Sequence, residues 1–288
     1  MKIIIIGANG QLGYDLVRVF ENTEDEIAPL THADIDVTDL RSASETLRNI
    51  EPDAVINCAA YVRVDDAEDF PERAFAVNAL GARNIARICR DLNSILAHIS
   101  TDYIFDGRKK EPYTEEDTPN PLNVYGNSKL AGEYFVRNTL EEHYIIRSSS
   151  LFGASGASGK GGNFVETMIK KARNGEEIKV VDDMIMSPTH TRDLAGMIKK
   201  ILIKKLPFGI YHAANQGQCS WYEFAKTIFE TLEMEANLSP TKTSRLQSKA
   251  RRPIYSPLVS IKLEKHGLEM KNWKEALTDY LVEKGYLK

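Results

Sequence analysis

Apolar and polar positions alternate in blocks along the first half of the chain. The β-branched run Lys2–Ile6 ends at Gly7, a pattern typical of a buried strand before a turn. Periodicity predicts further strands at Glu26–Leu30, Ala54–Asn57, Ser94–Ile99 and His143–Arg147, and helices at 12–20, Asp39–Asn49, Pro71–Asp91 and Tyr125–Asn138. In the helix predicted at Pro71–Asp91, the spacing places Leu80 on the inward face. The alternation of strands and helices along the chain predicts an α/β fold with a doubly wound, parallel, Rossmann-type sheet.

The second half of the chain is less regular. Helical patterns recur at Phe164–Asn174, Arg192–Ile203, Ser220–Leu232 and Lys271–Lys284, and a loop is predicted from Ser239 to Pro257. The Gly/Ser-rich segment 153–164 suits a short connection or a mobile loop over a ligand. We therefore expect a dinucleotide-binding domain at 1–150. We expect residues 151–288 to form mainly a substrate-binding lobe, part of which can return to the sheet.

Composition excludes several classes of partner. The 288 residues carry a net charge of −4 with both signs scattered, so the basic stripe of a nucleic-acid-binding protein is missing from the sequence. Apolar runs fall well short of a membrane span. The 3 cysteines are too widely spaced for a disulfide framework or a zinc site, so we expect no metal. Free thiols favour the cytoplasm.

Gly7, Gly10 and Gly13 lie between the first strand and the first helix. Glycine permits the tight turn and the close approach of a pyrophosphate, which the helix N-terminus then binds. The spacing is G-x-x-G-x-x-G. No acid stands directly at the tip of the second strand to bind a ribose 2′-hydroxyl, although Asp34 and Asp36 follow. The choice between NADH and NADPH is therefore left open by the sequence.

Three pairs have the spacing Tyr-x-x-x-Lys, which places both side chains on one helix face. Chance alone predicts about one, given 12 tyrosines and 21 lysines in 288 residues. Tyr222/Lys226 lies in an amphipathic stretch that suits packing, and Tyr280/Lys284 suits an exposed surface pair. Tyr125/Lys129 instead follows a strand that ends in Ser100-Thr101-Asp102. Ligands of open α/β sheets bind at that strand end, so this pair is the catalytic candidate.

These residue types suit the reduction of a ketone. A nicotinamide supplies the hydride, and the carbonyl oxygen needs a proton. A lysine ammonium about 4 Å away would lower the tyrosine pKa from about 10 by roughly 3 units. We predict that Tyr125 is the general acid, that Thr101 orients the ketone oxygen, and that Lys129 also reaches the nicotinamide ribose.

With these residues in one frame, the sequence resembles the extended short-chain dehydrogenase/reductase family. The resemblance runs over nearly the whole chain and includes "GANGQLG" (7–13), "DVTD" (36–39), "ISTDYIFDG" (99–107), "NVYGNSKLAGE" (123–133) and "ARRPIYSPL" (250–258). The most similar members transfer a hydride from NADH or NADPH to C4 of a 4-keto-6-deoxyhexose nucleotide. The resemblance thus implies a nucleotide-sugar substrate, and it is compatible with a homodimer.

The resemblance also implies a set of ligand-binding residues. Those assigned to the cofactor are Gly7, Asn9, Gly10, Gln11, Leu12, Gly13, Asp36, Val37, Ala59, Ala60, Tyr61, Val62, Asn78, Ile99, Tyr125 and Lys129. Those assigned to the sugar nucleotide are Val64, Thr101, Asp102, Ser150 and Asn163.

Ser150 departs from the family pattern. Members similar to this chain commonly carry a tryptophan at this place in the stretch that reads "RSSSLFG" (147–153) here. A hydroxyl cannot replace the contact area of an indole, so Phe152 or another aromatic residue is expected to fill in. Arg63 stands at the expected pocket edge and could pair with a substrate anion or with Asp65 or Asp66.

Two rival functions arise from the same resemblance. One is another sugar-nucleotide reductase, a 4-epimerase or a 4,6-dehydratase. Dehydratases usually carry a glutamate directly after the Thr-Asp pair, where this chain has Tyr103. The other is a non-catalytic NADP-binding subunit, like the regulatory subunit of methionine adenosyltransferase. The presence of Thr101, Tyr125 and Lys129 favours an enzyme.

Overall fold

The computed structural model describes residues 1–21, 23–155 and 162–288. Its strands are β1 (Lys2–Ile6), β2 (Glu26–Leu30), β3 (Ala54–Asn57), β4 (Ile95–Thr101), β5 (His143–Ser148), β6 (Leu151–Phe152), β7 (Ile178–Val181), β8 (Ile185–Met186), β9 (Thr189–His190), β10 (Gly209–His212), β11 (Cys219–Ser220) and β12 (Leu238–Thr241). Its α-helices are α1 (Gln11–Phe20), α2 (Leu40–Ile50), α3 (Val64–Asp69), α4 (Pro71–Phe75), α5 (Ala82–Leu92), α6 (Val124–Thr139), α7 (Phe164–Arg173), α8 (Thr191–Ile203), α9 (Trp221–Thr231), α10 (Ile261–Lys265) and α11 (Trp273–Glu283).

The central sheet has six strands in the order β10-β5-β4-β3-β1-β2, and every neighbouring pair is parallel. The order reverses between β1 and β3, which are adjacent although β2 comes between them in the chain. A crevice for a ligand opens at such a reversal, at the carboxyl ends of the strands. The predicted doubly wound α/β fold is confirmed.

Both faces of the sheet are covered because its strands are apolar on both sides. Ile3 and Ile5 pack with α1 and α8, whereas Ile4 and Ile6 pack with α2, α5 and α6. All four isoleucines are buried. Side chains of a strand alternate between faces, so a continuous isoleucine run suits a strand with helices on each side.

The C-terminal half contributes a second apolar cluster. It brings together α7, α9 and α11 through buried side chains that include Val165, Phe224 and Leu277. Yet β10 lies in the central sheet beside β5, and α8 packs with the sheet. The loop predicted from Ser239 is wrong at its start, because β12 covers those residues and pairs with β7. A domain division at residue 150 stays a prediction.

The helix predicted at Pro71–Asp91 is interrupted. Between α4 and α5 the chain makes a π-helical turn over Ala76–Gly81. Such a turn holds more residues than an α-helical turn and so shifts the face that each residue occupies. Leu80, predicted to point inward, is 47% exposed, whereas Asn78 is fully buried.

No α-helix among the described residues is both long enough and apolar enough to cross a membrane. The expectation of a mobile loop within 153–164 concerns mainly residues 156–161, which lie outside the described residues.

Candidate active site

The glycine loop forms the floor of a cradle at the end of β1. Gly7 has a φ of +79°, which favours glycine, and its N–H donates to the Leu30 carbonyl at 2.8 Å. A Cβ on Gly13 would stand 2.1 Å from the Gly7 oxygen, so helix α1 approaches the loop too closely for a side chain. The helix begins at Gln11 with only glycine at its N-cap, which leaves backbone N–H groups facing the cradle.

The cradle suits the pyrophosphate of a dinucleotide. Helix N-termini carry a positive dipole end that binds anions. The Gln11 side chain lines the same cavity, and its Oε1 is buried without a hydrogen-bond partner among the described residues. A buried polar atom of this kind normally has a partner, so a bound group fits here.

The close approach at Gly13 gives a testable prediction. Gly13→Ala should lower the free energy of unfolding by about 1–3 kcal/mol, because the new Cβ must push two backbone segments apart. Binding of NADPH should weaken as well. Gly196→Ala is the matched control: its Cβ meets nothing within 4 Å inside α8, and it should stabilise the protein by about 0.5–1 kcal/mol. Urea unfolding and an NADPH titration measure both effects, and an unchanged Gly13→Ala protein would contradict the cradle.

Thr101 and Tyr125 meet at the carboxyl end of β4. Thr101 is the last residue of this strand, and its hydroxyl acts on the Tyr125 phenol strongly enough to lower the pKa of that group. Tyr125 stands in the first turn of α6, which Asn123 caps by accepting from the Gly126 N–H at 2.7 Å. A Cβ on Gly126 would lie 2.2 Å from the Tyr103 oxygen. Glycine therefore lets α6 approach the chain beyond β4 closely enough to place the phenol.

Lys129 lies one turn further along α6 and is buried. Its Nζ donates to the Ile99 carbonyl at 2.6 Å and lies 3.5 Å from His98 Nε2. Burial lowers the pKa of Lys129 to about 8, although the Glu133 carboxylate opposes this shift. The ammonium is thus held by strand β4, on the face of α6 that Tyr125 shares.

The expected lowering of the tyrosine pKa is wrong for this structure. Burial raises the pKa of the Tyr125 phenol, and the nearby Thr101 hydroxyl offsets only part of that rise. The Lys129 ammonium is directed at the Ile99 carbonyl. A phenol with a raised pKa stays protonated near neutrality, which is the state that a proton donor requires.

Asp102 is a buried carboxylate beside this pair. It accepts hydrogen bonds from Ser256 at 2.6 Å, from Ser149 at 3.1 Å and from Thr101 at 3.2 Å. Burial nevertheless dominates and raises the pKa of Asp102 from 3.8 to about 6. Raised carboxyl pKa values in a cleft are typical of functional sites.

The Asp102 shift has a definite sign for stability. Because its folded pKa exceeds the unfolded value, its contribution is fully present below pH 3.8 and is lost as the pH rises through about 6. The shift corresponds to about 3 kcal/mol. Asp102→Asn should remove this term, so its unfolding free energy relative to wild type should increase from pH 4 to pH 7 by about that amount.

Asp106→Asn is the matched control for this pH series. Desolvation by itself would raise the pKa of Asp106, but hydrogen bonds from the Arg108 backbone, Asn120 and Tyr113 together outweigh it and lower this pKa. Asp106 therefore stabilises the folded state above the unfolded pKa, and this stabilisation is lost as the pH falls through the folded value. The two variants should thus show opposite pH trends in urea unfolding; parallel trends would contradict the Asp102 assignment.

These residues share one cavity of about 370 Å³. Of the residues predicted for the site, its wall contains Gly7, Gly10, Gln11, Leu12, Gly13, Ala60, Val62, Val64, Ile99, Thr101, Asp102, Tyr125, Lys129 and Ser150. The wall also contains residues that the sequence prediction missed, namely Cys58, Ser100, Tyr103, Ser148, Leu151 and Trp221. Most of the missed residues are sequence neighbours of predicted ones. Trp221 is distant in sequence from the other wall residues, and the sequence predicted only that it lies in a helix.

Several predicted residues lie outside this wall, among them Asn9, Asp36, Val37, Ala59, Tyr61, Asn78 and Asn163. Asn78 binds the backbone of Tyr61 through both its Oδ1 and its Nδ2, and also donates to the Ser128 hydroxyl at 2.9 Å. It thus ties the π-helical turn to α6. Asp36 is exposed and accepts from Thr38.

Asn163, predicted as a substrate contact, lies outside the cavity wall that the described residues form, so its contact with a substrate stays a prediction. It caps α7 by accepting from the Glu166 N–H at 3.0 Å. Its Nδ2 donates to the Gly153 carbonyl at 2.8 Å and to the Tyr280 hydroxyl at 3.0 Å. With its side-chain groups bonded within the protein, Asn163 holds α7 and α11 together.

The other two Tyr-x-x-x-Lys pairs lie outside the cavity wall. Lys226 is exposed and pairs with Glu230, while Tyr222 packs against the C-terminal cluster. The expected surface position of Tyr280 is wrong. Its side chain is fully buried and donates to Glu166 at 2.5 Å. The Tyr-x-x-x-Lys spacing alone could not predict that Tyr280 faces the interior and has polar partners there.

The departure at Ser150 leaves a small side chain in the wall. Phe152, one candidate to fill the space, is buried and stacks on His190 with centroids 5.4 Å apart, so it does not line the cavity. The exposed Arg63 pairs with Asp66 at 3.3 Å. No group of three or more His, Cys, Asp or Glu side chains within the described ranges could hold a metal ion.

A glycine loop at a helix N-terminus, beside a helix with the Tyr-x-x-x-Lys pair at one edge of a parallel sheet, is the combination used by short-chain dehydrogenases and reductases. The chain is an oxidoreductase of this extended class. More narrowly, it belongs to the RmlD family: the model of the RmlD substrate binding domain matches residues 1–285.

Named relatives extend over almost the full chain. The spore coat polysaccharide biosynthesis protein SpsK of Bacillus subtilis is 39% identical over 98% of both chains. A dTDP-4-dehydrorhamnose reductase of Mycolicibacterium smegmatis is 38% identical over 96% of this chain and 84% of its own. Among solved structures, dTDP-4-dehydrorhamnose reductase of Bacillus anthracis in complex with NADP superposes with a TM-score of 0.93. That structure is 41% identical and covers 98% of this chain and 99% of its own.

Proposed function

We propose that the chain reduces the C4 ketone of a 4-keto-6-deoxyhexose nucleotide with NADPH or NADH. The specific reaction is dTDP-4-dehydro-L-rhamnose to dTDP-L-rhamnose. The observation that carries this proposal is that Thr101, Tyr125 and Lys129 line one cavity together with the glycine cradle. The names of the relatives support the substrate class.

In this proposal the cofactor binds along the cradle and supplies the hydride. Gly10, Gln11 and Leu12 hold its pyrophosphate at the start of α1. NADPH is the preferred form, because the Bacillus anthracis relative binds NADP. The acids near the tip of β2 are already engaged: Asp34 accepts from Thr31, and Asp36 accepts from Thr38. Neither carboxylate is therefore positioned solely to bind the ribose 2′-hydroxyl of NADH.

Each of the four polar residues at this end of the cavity then has a distinct role. Tyr125 donates its proton to the ketone oxygen as the hydride reaches carbon, and Thr101 holds that oxygen by a hydrogen bond. Lys129, held by the Ile99 carbonyl, binds the nicotinamide ribose. Asp102 accepts a hydrogen bond from a sugar hydroxyl. Because burial raises the pKa of Tyr125, the phenol is protonated before the ketone binds.

The decisive assay mixes the protein with NADPH and dTDP-4-dehydro-L-rhamnose and follows the nicotinamide absorbance. We expect oxidation of NADPH with formation of dTDP-L-rhamnose, and slower oxidation of NADH. The same protein should neither dehydrate nor epimerise a dTDP-hexose in the presence of NAD⁺. Tight NADPH binding without turnover of any 4-keto sugar nucleotide would favour the non-catalytic subunit instead.

We also propose a cytoplasmic homodimer. The three cysteines are free thiols, which suits a reducing compartment. Phe70, between α3 and α4, Phe75 at the end of α4 and Leu80 in the π-helical turn expose apolar area and offer a surface for a second copy. Light scattering coupled to size exclusion measures the assembly directly, and a monomer at all concentrations would refute the dimer.

A further inference from the structure

Trp221 reaches the active-site cavity from the C-terminal half of the chain. It is the first residue of α9 and follows β11, which pairs antiparallel with β8. The start of this helix is fixed by a capping box: the Glu223 N–H donates to the Ser220 hydroxyl at 3.0 Å, and the Ser220 N–H donates to Glu223 at 2.7 Å. A residue between a paired strand and a closed cap has little freedom to move.

The indole is supported by other aromatic rings. Its centroid lies 4.7 Å from that of Phe164, at an interplanar angle of 60°. Phe164 in turn stacks on the buried Phe224 with centroids 5.7 Å apart. Trp221 is itself only partly buried and lines the cavity. One side of the indole is therefore anchored in the C-terminal cluster, and the rest is available to a ligand.

The wall that contains Trp221 also includes two serines at the end of β5 and just beyond it. Ser148 and Ser150 are small and polar, and Ser150 has a φ of +46°, a conformation that bulky side chains rarely adopt. Its hydroxyl lies 3.4 Å from that of Ser149. Trp221 is the only tryptophan among the described residues of the wall.

We propose that Trp221 is a specificity-determining residue whose indole forms an apolar platform for the deoxyhexose ring and its C6 methyl group. This inference rests on the proposed function and names a contact that selects its substrate. A pyranose presents an apolar face of C–H groups, and a 6-deoxy sugar adds a methyl group where other hexoses carry a hydroxymethyl. An aromatic ring buries such surface at low entropic cost, because it has only two rotatable side-chain bonds.

The sugar is the favoured occupant because of where the reaction occurs. The ketone must reach Thr101 and Tyr125, so the hexose occupies the cavity that these residues line together with Trp221. The nucleobase is joined to the hexose through a diphosphate and can lie elsewhere. Stacking of the base on Trp221 is thus the alternative that an experiment must separate.

The test compares two ligands, dTDP and dTDP-L-rhamnose, by calorimetric titration in the presence of NADP⁺. Trp221→Ala should weaken the affinity for dTDP-L-rhamnose by about tenfold, a typical effect of losing an aromatic contact. Affinity for dTDP and for NADPH should stay unchanged, since neither contains the hexose. Trp221→Phe should recover most of the loss. Tyr222→Ala, next in the same helix and outside the cavity wall, is the matched control and should bind both ligands like wild type.

Fluorescence gives a second readout. The chain has 2 tryptophans, and Trp273 is buried beside Phe224, so a ligand-dependent emission change should vanish in Trp221→Phe. Unchanged affinity of Trp221→Ala for dTDP-L-rhamnose would refute the platform, and an equal loss for dTDP would assign the indole to the base. Failure of the proposed function is separate: it would show as wild-type protein that does not oxidise NADPH with the 4-keto sugar.

Discussion

Replacement of Tyr125 by phenylalanine is expected to lower kcat by about 10²–10⁴-fold, the range that general acid catalysis contributes. The variant loses only the hydroxyl that Thr101 contacts, so the cavity keeps its shape. NADPH affinity should survive, because the glycine cradle is untouched. Steady-state kinetics at saturating substrate and a fluorescence titration with NADPH separate these two effects.

The other two tyrosine pairs supply the controls. Tyr222→Phe should be fully active, because Tyr222 lies outside the cavity wall. Tyr280→Phe should keep kcat but lose about 1–3 kcal/mol of stability, because Asn163 and Glu166 lose a buried hydrogen-bond partner. Full activity in Tyr125→Phe would show that a different group donates the proton.

Arg147→Leu is expected to reduce the free energy of unfolding by about 3–5 kcal/mol, the usual cost of leaving a buried charge unpaired. Arg147 is 2% exposed and binds the equally buried Glu133 through Nε at 3.0 Å and Nη2 at 2.7 Å. Its Nη1 donates to His212 Nε2 at 3.4 Å. His212 stays neutral, because burial lowers its pKa to about 4.

The consequence should extend to the active site. Glu133 also accepts from Ser100 at 2.5 Å, directly before Thr101 on β4. Arg147→Leu should therefore lower kcat as well as stability. The double variant Glu133→Met/Arg147→Leu should recover most of the stability, because apolar residues can replace a buried ion pair at little cost. Urea unfolding followed by circular dichroism measures the stability of the single and the double variant. If Arg147→Leu lost less than about 1 kcal/mol, the pair would contribute no more than an exposed salt bridge, which would contradict the prediction.

Local patterns in the sequence located most of the sheet and the centre of the site. β1, β2 and β3 have the predicted bounds, because each is a short apolar or β-branched run closed by turn residues. Helix α6 extends one residue beyond the prediction at each end. The spacing of Tyr125 and Lys129 on it is a property of any helix. The prediction of an extended short-chain dehydrogenase/reductase is confirmed by the family that the chain matches.

Long-range contacts decided the rest. The π-helical turn at Ala76–Gly81 places Asn78 against Tyr61 and Ser128. The hydrophobic periodicity of this stretch did not predict the turn. The packing of α11 buries Tyr280, which its own helix would have allowed on the surface. The same cluster uses Asn163 as a cap and leaves the Trp221 indole in the cavity.

The sequence by itself determined the class of fold, the phosphate cradle and the tyrosine–lysine pair, because strand runs, glycine turns and helical spacing depend on neighbouring residues. Only the tertiary structure decided which groups share the cavity and how burial shifts them. It raised the pKa of Tyr125, lowered that of Lys129 to about 8, and brought Trp221 from a distant helix into the cavity wall that contains Ser150. Desolvation and convergence of this kind depend on elements far apart in the chain, which pack only in the folded protein.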